Sequence, residues 1–262
     1  MRELDEIAAT NKQHWEKAVE KGAGCTIPYL DLDVEAYRSY RKRETKVLPK
    51  PYCDIPAERL VMEGVQGKDV LCLAAGGGQQ SAEYSLLGAR VTVFDFAEGQ
   101  LDGDRKAAAH YGYEVTTIQG DMRDISSLDD ESFDLVYGTG MCFVPDAQEV
   151  YSGVARVLRT GGLYRVDFAN PATEFVEPDT WDGAGYRITL PYAKKSDRPE
   201  GDAIQFRHYM GEIFNGLLAT GFSIQQVQDR TFDLPDPQAE PGSWGHWLAY
   251  VTGFIIVARK EG

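Results

Sequence analysis

Three short stretches of the 262-residue chain carry residue types that can do chemistry at meaningful spacing. The first is Asp69-Val-Leu-Cys-Leu-Ala-Ala-Gly-Gly-Gly-Gln-Gln-Ser81, an apolar run followed by three consecutive glycines and a polar helix start. Gly76, Gly77 and Gly78 let the backbone turn sharply and approach a ligand with no Cβ in the way. The helix expected over 79–87, closed by Gly88, points its free N–H groups at whatever lies over the glycines. The second is Asp95, 17 residues beyond Gly78 and at the end of the next apolar run, where a carboxylate can take both hydroxyls of a ribose. The third is Asp121-Met122, where a carboxylate and a backbone N–H can meet an adenine amino group. Together these read as a nucleotide-binding turn with its two acidic partners.

These residues need a scaffold, and the chain alternates strand and helix patterns at the pace of a parallel sheet covered on both faces. Strands are expected at 69–74, 90–95, 114–119, 133–137 and 163–168, with helices at 79–87, 98–111 (stopped by Gly112) and after Asp146, whose Glu149 completes a capping-box pattern. Arg159-Thr-Gly-Gly162 reads as a turn. Ahead of this core, residues 4–20 give an amphipathic helix carrying Asn11 and Trp15, and 26–68 is aromatic and proline-broken. Residues 170–207 break the rhythm with prolines and glycines and read as an inserted cap, with Tyr186–Leu190 and Ala203–Phe206 as a strand pair. A helix from Met210, then strands over 222–228 and 247–258 joined through 234–245, complete the chain.

Composition narrows the partners. A formal charge of -14 and a pI near 4.7 argue against a bulk electrostatic hold on nucleic acid or an anionic membrane. The four cysteines show no CxxC and no close histidine, so neither a zinc site nor a disulfide frame is expected. No HExxH or acid/His cluster suggests a metal. The polar N-terminus and the lack of a run near 20 apolar residues point to a cytoplasmic protein, with its oligomeric state open.

The series Val70–Gly78, Val93–Leu101, Gly120-Asp-Met122, Phe133–Val136 and Arg156–Gly162 resembles the class I S-adenosylmethionine-dependent methyltransferases, closely over residues 60–168. The resemblance implies a Rossmann-like, doubly wound α/β fold. Its seven-stranded sheet is mostly parallel with an antiparallel last strand, in a single domain (1–262). That domain would comprise a lid region (1–58), a cofactor core (59–169), a small inserted cap (170–208) and a C-terminal helix and strand pair (209–262). It implies S-adenosylmethionine as cofactor and a small-molecule acceptor methylated by in-line displacement. Ala75, Gly76, Gly78 and Gln80 would serve the methionine and ribose side, Asp95 the ribose hydroxyls, and Phe96 and Leu101 the adenine faces. Asp121 and Met122 would recognise adenine, Gly138 would lie near the sulfonium or its carboxylate, and Trp15 would close over the cofactor. The family often has an acid where Cys72 stands and a glycine where Ala74 stands; the acid usually helps hold the methionine amino group.

For the acceptor side, His208 and Tyr209, where the chain leaves the cap, are the candidate catalytic residues. Cys142 follows the fourth strand, and Trp181, Tyr186, Tyr29 and Tyr37 are candidate pocket walls. Two other readings stay open: an NAD-dependent oxidoreductase, since Gly76–Ser81 approximates GxGxxG, and a protein that binds or uses S-adenosylmethionine without methylating.

Overall fold

The computed structural model describes residues 5–49, 56–171, 178–193, 198–200, 203–230 and 238–262. Helices α1 (Glu6–Glu20), α2 (Val34–Arg41) and α3 (Pro56–Met62) precede the sheet. Then come β1 (Asp69–Leu73), α4 (Gln80–Leu86), β2 (Arg90–Asp95), α5 (Glu98–Tyr111), β3 (Val115–Gln119), β4 (Phe133–Gly138), α6 (Ala147–Val157) and β5 (Leu158–Phe168). The cap holds β6 (Arg198–Glu200) and β7 (Ala203–Gln205), and α7 (Met210–Ala219), β8 (Phe222–Asp229), α8 (Trp244–Leu248) and β9 (Phe254–Lys260) close the chain.

Seven strands form one sheet in the order β3-β2-β1-β4-β5-β9-β8. The neighbours from β3 to β5 pair in parallel, and β9 runs antiparallel to both β5 and β8. Strand order reverses between β1 and β4, so the crevice of an open α/β sheet lies over the carboxyl ends of these strands. Leu71, Leu73, Val136 and Val166 face a core completed by α6 and α7. Val70, Cys72, Val93 and Tyr137 face the opposite core, completed by α3, α4 and Leu101 of α5. Burial on both faces explains why β1 reads as an unbroken apolar run.

Three expectations are corrected. The stretch Arg159–Gly162 is not a separate turn; it lies inside β5, where Gly161 has a φ of 80° and pairing slips between Phe133 and Leu135. One irregular residue set thus absorbs the bend as a bulge. In the cap, β7 pairs antiparallel with β6, its neighbour along the chain, and not with 186–190. The segment from Trp247 is not strand: Ser243 accepts the His246 N–H, starting α8, and Trp247 and Leu248 bury against the cap. The final ladder therefore begins only at Phe254, after Gly253, whose Cβ would stand 2.4 Å from the Phe168 carbonyl oxygen. Of the expected link at 234–245, residues 234–237 lie outside the described residues.

Candidate active site

The glycine turn sits at the switch point, and each of its amides has an acidic partner. Gly76 N–H donates to Asp95 Oδ2 at 3.2 Å, while Asp95 Oδ1 accepts from Ala97 N at 2.9 Å. Gly77 and Gly78 N–H donate to the two oxygens of Asp104 on α5, at 3.1 and 3.0 Å, and the Ser81 hydroxyl donates to the same carboxylate. A Cβ on Gly76 would lie 2.8 Å from Gln100 Cβ, and one on Gly78 2.4 Å from the Gly103 carbonyl oxygen. The glycines thus serve close packing of α5 on the turn. On the other side, Gln79 Nε2 donates to the Gly24 and Ile27 carbonyls, and Tyr29 N–H to the Gly78 carbonyl. Ala75 is buried beside the turn and Gln80 is half-buried at the start of α4.

Burial shapes the charges here. Desolvation raises the Asp95 carboxyl to about 6 against the pull of its backbone donors, with Glu16 adding repulsion. It raises Asp104 to about 7, with Asp95 adding to the effect against the Ser81, Gly77 and Gly78 donors. The Cys72 thiol is fully buried and pushed well up, first by burial, then by Asp104 and Glu83. Cys72 is therefore a neutral thiol, not a carboxylate's substitute.

Asp121 ends beside its own cation. Arg123 Nε donates to Asp121 Oδ2 at 2.9 Å and Arg123 Nη1 to Asp5 Oδ2 at 2.8 Å, so the loop after β3 is tied to the start of α1. Met122 packs beside the larger core, and Phe96 is half-buried with its carbonyl accepting from Gln119. Leu101 is fully buried on α5. Gly138 pairs with Leu73, and a Cβ there would lie 2.9 Å from the Tyr164 ring.

The α1 helix is latched at two further points. Asn11, 1% exposed, accepts Ile204 N–H at 2.7 Å and donates to the Ile204 carbonyl at 3.0 Å, joining α1 to β7. Glu16 accepts the N–H groups of Glu98 and Gly99, the first residues of α5, at 2.8 and 3.2 Å. Trp15, half-buried between them, meets Phe143 edge-on with ring centroids 5.6 Å apart. Sequence reading singled out Trp15 and Asn11 but missed Glu16, Gln100, Asp104, Arg123 and Asp5. The signal for Asp104 was present: Gly103-Asp104 puts two poor helix formers in mid-helix, which calls for a packing or binding reason.

Past β4, a small recess, with room for about one water molecule, lies among Cys142, Phe168, Ala169, Pro171, Phe206, Arg207 and His208. His208 is buried, and its Nε2 stands 2.9 Å from the Met141 carbonyl oxygen, which makes that nitrogen the donor. Base chemistry at His208 would therefore use Nδ1. Tyr209 does not share this position: its hydroxyl donates to the Tyr192 carbonyl at 2.8 Å. Trp181 and Tyr186 instead join His246 and Tyr250 in a filled aromatic cluster, with the Tyr186 hydroxyl 2.6 Å from His246 Nδ1. Tyr37 is core, 2% exposed, away from the recess. No helix among the described residues is long and apolar enough to cross a membrane, and among them no group of three His, Cys, Asp or Glu is arranged to hold a metal.

Residues 70–162 match the family model described as a methyltransferase domain. The chain is 30% identical to an uncharacterised methyltransferase of Bacillus subtilis over 236 residues, covering 84% of this chain and 91% of that protein. It belongs to the class I S-adenosylmethionine-dependent methyltransferases. Among solved structures, an S-adenosylmethionine-dependent methyltransferase from Mesorhizobium loti shares the fold, with a TM-score of 0.65 at 23% identity over 78% of this chain and 96% of that one. So does the Burkholderia thailandensis 1,6-didemethyltoxoflavin-N1-methyltransferase, with a TM-score of 0.61 at 17% identity over all of this chain and 93% of that one. The site of this methyltransferase fits its cofactor chemically. A phosphate-free, cationic ligand suits a glycine turn whose Gly77 and Gly78 amides already serve a carboxylate, whereas a pyrophosphate would lose those donors and meet like charge.

Proposed function

We propose that this protein methylates a small-molecule acceptor, with the acceptor entering beside Cys142, Phe168 and His208. The observation that carries the reading is the pair of buried acids on the glycine turn, Asp95 on Gly76 and Asp104 on Gly77 and Gly78. It favours S-adenosylmethionine over the dinucleotide that the same glycines would otherwise suit. The Burkholderia protein of like fold is named for its action on 1,6-didemethyltoxoflavin, and the acidic surface here disfavours nucleic acid. Reduced thiols at Cys25 and Cys72 suit a cytoplasmic setting.

When bound, S-adenosylmethionine supplies an electrophilic methyl on a cationic sulfur. The chain's own part is to bind, orient and exclude water. Asp95 would hold the ribose hydroxyls, with Phe96, Leu101 and Met122 bounding the adenine. Ala75, Gly76, Gly78, Gln80 and Gly138 would line the methionine side. The latches from α1 close Trp15 against Phe143 and keep water from the reacting line. Positioning of this kind supplies much of the rate of an in-line displacement. Because charge is dispersed during the transfer, the apolar rings of Phe168 and Phe206 do not oppose it. His208 would receive a proton only from an acceptor that carries one near neutral pH.

The test combines binding and fate of the methyl group. Asp95→Ala is expected to weaken S-adenosylhomocysteine binding by about tenfold or more, as loss of hydrogen bonds to a charged group does. With methyl-labelled cofactor and a small-molecule extract, label should appear in a low-mass product. Unchanged affinity would sink the Asp95 assignment; label found only in protein or RNA, or a cleaved cofactor with no transfer, would sink the acceptor class.

A further inference from the structure

Asp104 is a buried carboxyl, fully inaccessible, and its hydrogen-bond partners among the described residues are the Gly77 amide, the Gly78 amide and the Ser81 hydroxyl. The titratable groups that face it are Asp95 on β2, Cys72 on β1 and the Tyr113 hydroxyl beyond α5. All three are acids, so ionisation of any of them adds negative charge and none offers a compensating positive one. A buried carboxylate without a counter-ion is costly and tends to hold its proton. The turn that Asp104 clamps follows the carboxyl end of β1 at the switch point between β1 and β4, where an open α/β sheet receives its ligand.

We propose that Asp104 is the charge-selecting residue of the glycine turn. Its carboxylate occupies the amide donors a phosphate would need and supplies the buried negative charge that a sulfonium-bearing ligand neutralises. This rests on the S-adenosylmethionine reading of the site and extends it from which cofactor binds to why its charge is preferred. The counter-charge reaches the turn from α5, while the strand position beneath it holds the neutral Cys72 thiol. Two consequences follow from electrostatics alone. The cationic cofactor is favoured over its neutral thioether product, S-adenosylhomocysteine, which assists product release. Cofactor binding also draws the proton from Asp104, so its affinity rises with pH through the range in which that carboxyl titrates, about 7.

The experiment is calorimetric binding of S-adenosylmethionine, S-adenosylhomocysteine and ADP to the full chain and to Asp104→Asn. ADP is the probe for a diphosphate on the same adenosine. The variant should lose about tenfold in S-adenosylmethionine affinity and less than about threefold in S-adenosylhomocysteine affinity, a ratio set by one buried charge. ADP binding should strengthen. Equal losses for the two cofactor forms, or unaltered S-adenosylmethionine affinity, overturn the proposal, because a merely structural clamp does not distinguish a sulfonium from a thioether. Should wild type bind neither cofactor form, the cofactor reading fails and this proposal with it.

Ser81→Ala gives an independent arm if Asp104→Asn does not fold. Removing that hydroxyl donor raises the proton affinity of Asp104. Binding of S-adenosylmethionine should therefore fall several-fold near pH 7 and recover toward about pH 9, with little change for S-adenosylhomocysteine. A loss that does not recover with pH, or that is the same for both ligands, overturns the proposal.

Discussion

Ala74 and Gly78 stand four positions apart on either side of the same turn, and their backbones predict opposite outcomes for opposite substitutions. Ala74 has a φ of +50°, in the left-handed region where its Cβ crowds the backbone. That conformation costs a non-glycine residue about 1–2 kcal/mol. Ala74→Gly removes this strain and keeps the Ala74 N–H to Phe94 carbonyl bond of 2.8 Å, which is a backbone bond. The methyl group is only half-buried, so little apolar burial is lost. Against the gain stands the added freedom of glycine in the unfolded chain, about 0.5–1 kcal/mol. The net expectation is stabilisation of about 0.5–1 kcal/mol, or a Tm rise of about 1–4 °C for a chain of this size. Gly78→Ala runs the other way. Its φ is +78°, and the new Cβ would lie 2.4 Å from the Gly103 carbonyl oxygen and 2.8 Å from Pro28 Cβ. Overpacking against backbone adds to the left-handed cost, for a loss of about 3–5 kcal/mol. Urea unfolding at constant m reads both directly. A destabilised Ala74→Gly, or a Gly78→Ala within about 1 kcal/mol of wild type, would refute this account of the turn.

Two buried glutamates on the opposite side of β1 should behave differently when changed to glutamine. Glu58 Oε1 accepts Arg165 Nε and Nη2 at 2.9 and 2.6 Å, both residues at most 2% exposed, so Glu58→Gln should cost about 3 kcal/mol by breaking a buried pair. Glu83 is fully buried with neither oxygen hydrogen-bonded among the described residues, and burial pushes its carboxyl well up; Glu83→Gln should change stability by less than about 1 kcal/mol. Denaturant melts of the two variants check the contrast, and equal losses would contradict it. The pH dependence of stability follows from Asp95 and Asp104, raised by burial to about 6 and about 7. In the native state these groups keep protons that the unfolded chain has released, so their contribution is full below about pH 4 and is lost as pH rises through about 6 and 7. For Asp104 alone the shift corresponds to about 4 kcal/mol. The stability margin of wild type over Asp104→Asn, without cofactor, should therefore shrink as pH rises from about 4 to about 8 by up to that amount. A margin independent of pH would refute the assignment.

What the sequence determined by itself is what lies contiguous along the chain. The apolar run of β1, the three glycines, the acid that ends β2 and the Asp121-Met122 pair follow one another at spacings fixed by strand and helix lengths, and the parallel sheet follows from their alternation. Local signals failed where a local pattern had two solutions. The apolar stretch from Trp247 fits a strand or a buried helix equally well, and the Ser243 cap together with packing on the cap region decided for the helix. The tertiary structure alone decided the counter-charges. Asp104 meets Gly77 and Gly78 across 27 and 26 residues, Glu16 meets Gly99 across 83, Arg123 meets Asp5 across 118, and Glu58 meets Arg165 across 107. Nothing in a residue's neighbours along the chain tells which distant charge will be brought within hydrogen-bonding distance of it. That proximity is set by how helices α1, α3 and α5 dock on the sheet. Docking follows from the burial of their apolar faces, and the polar partners are carried into place with them.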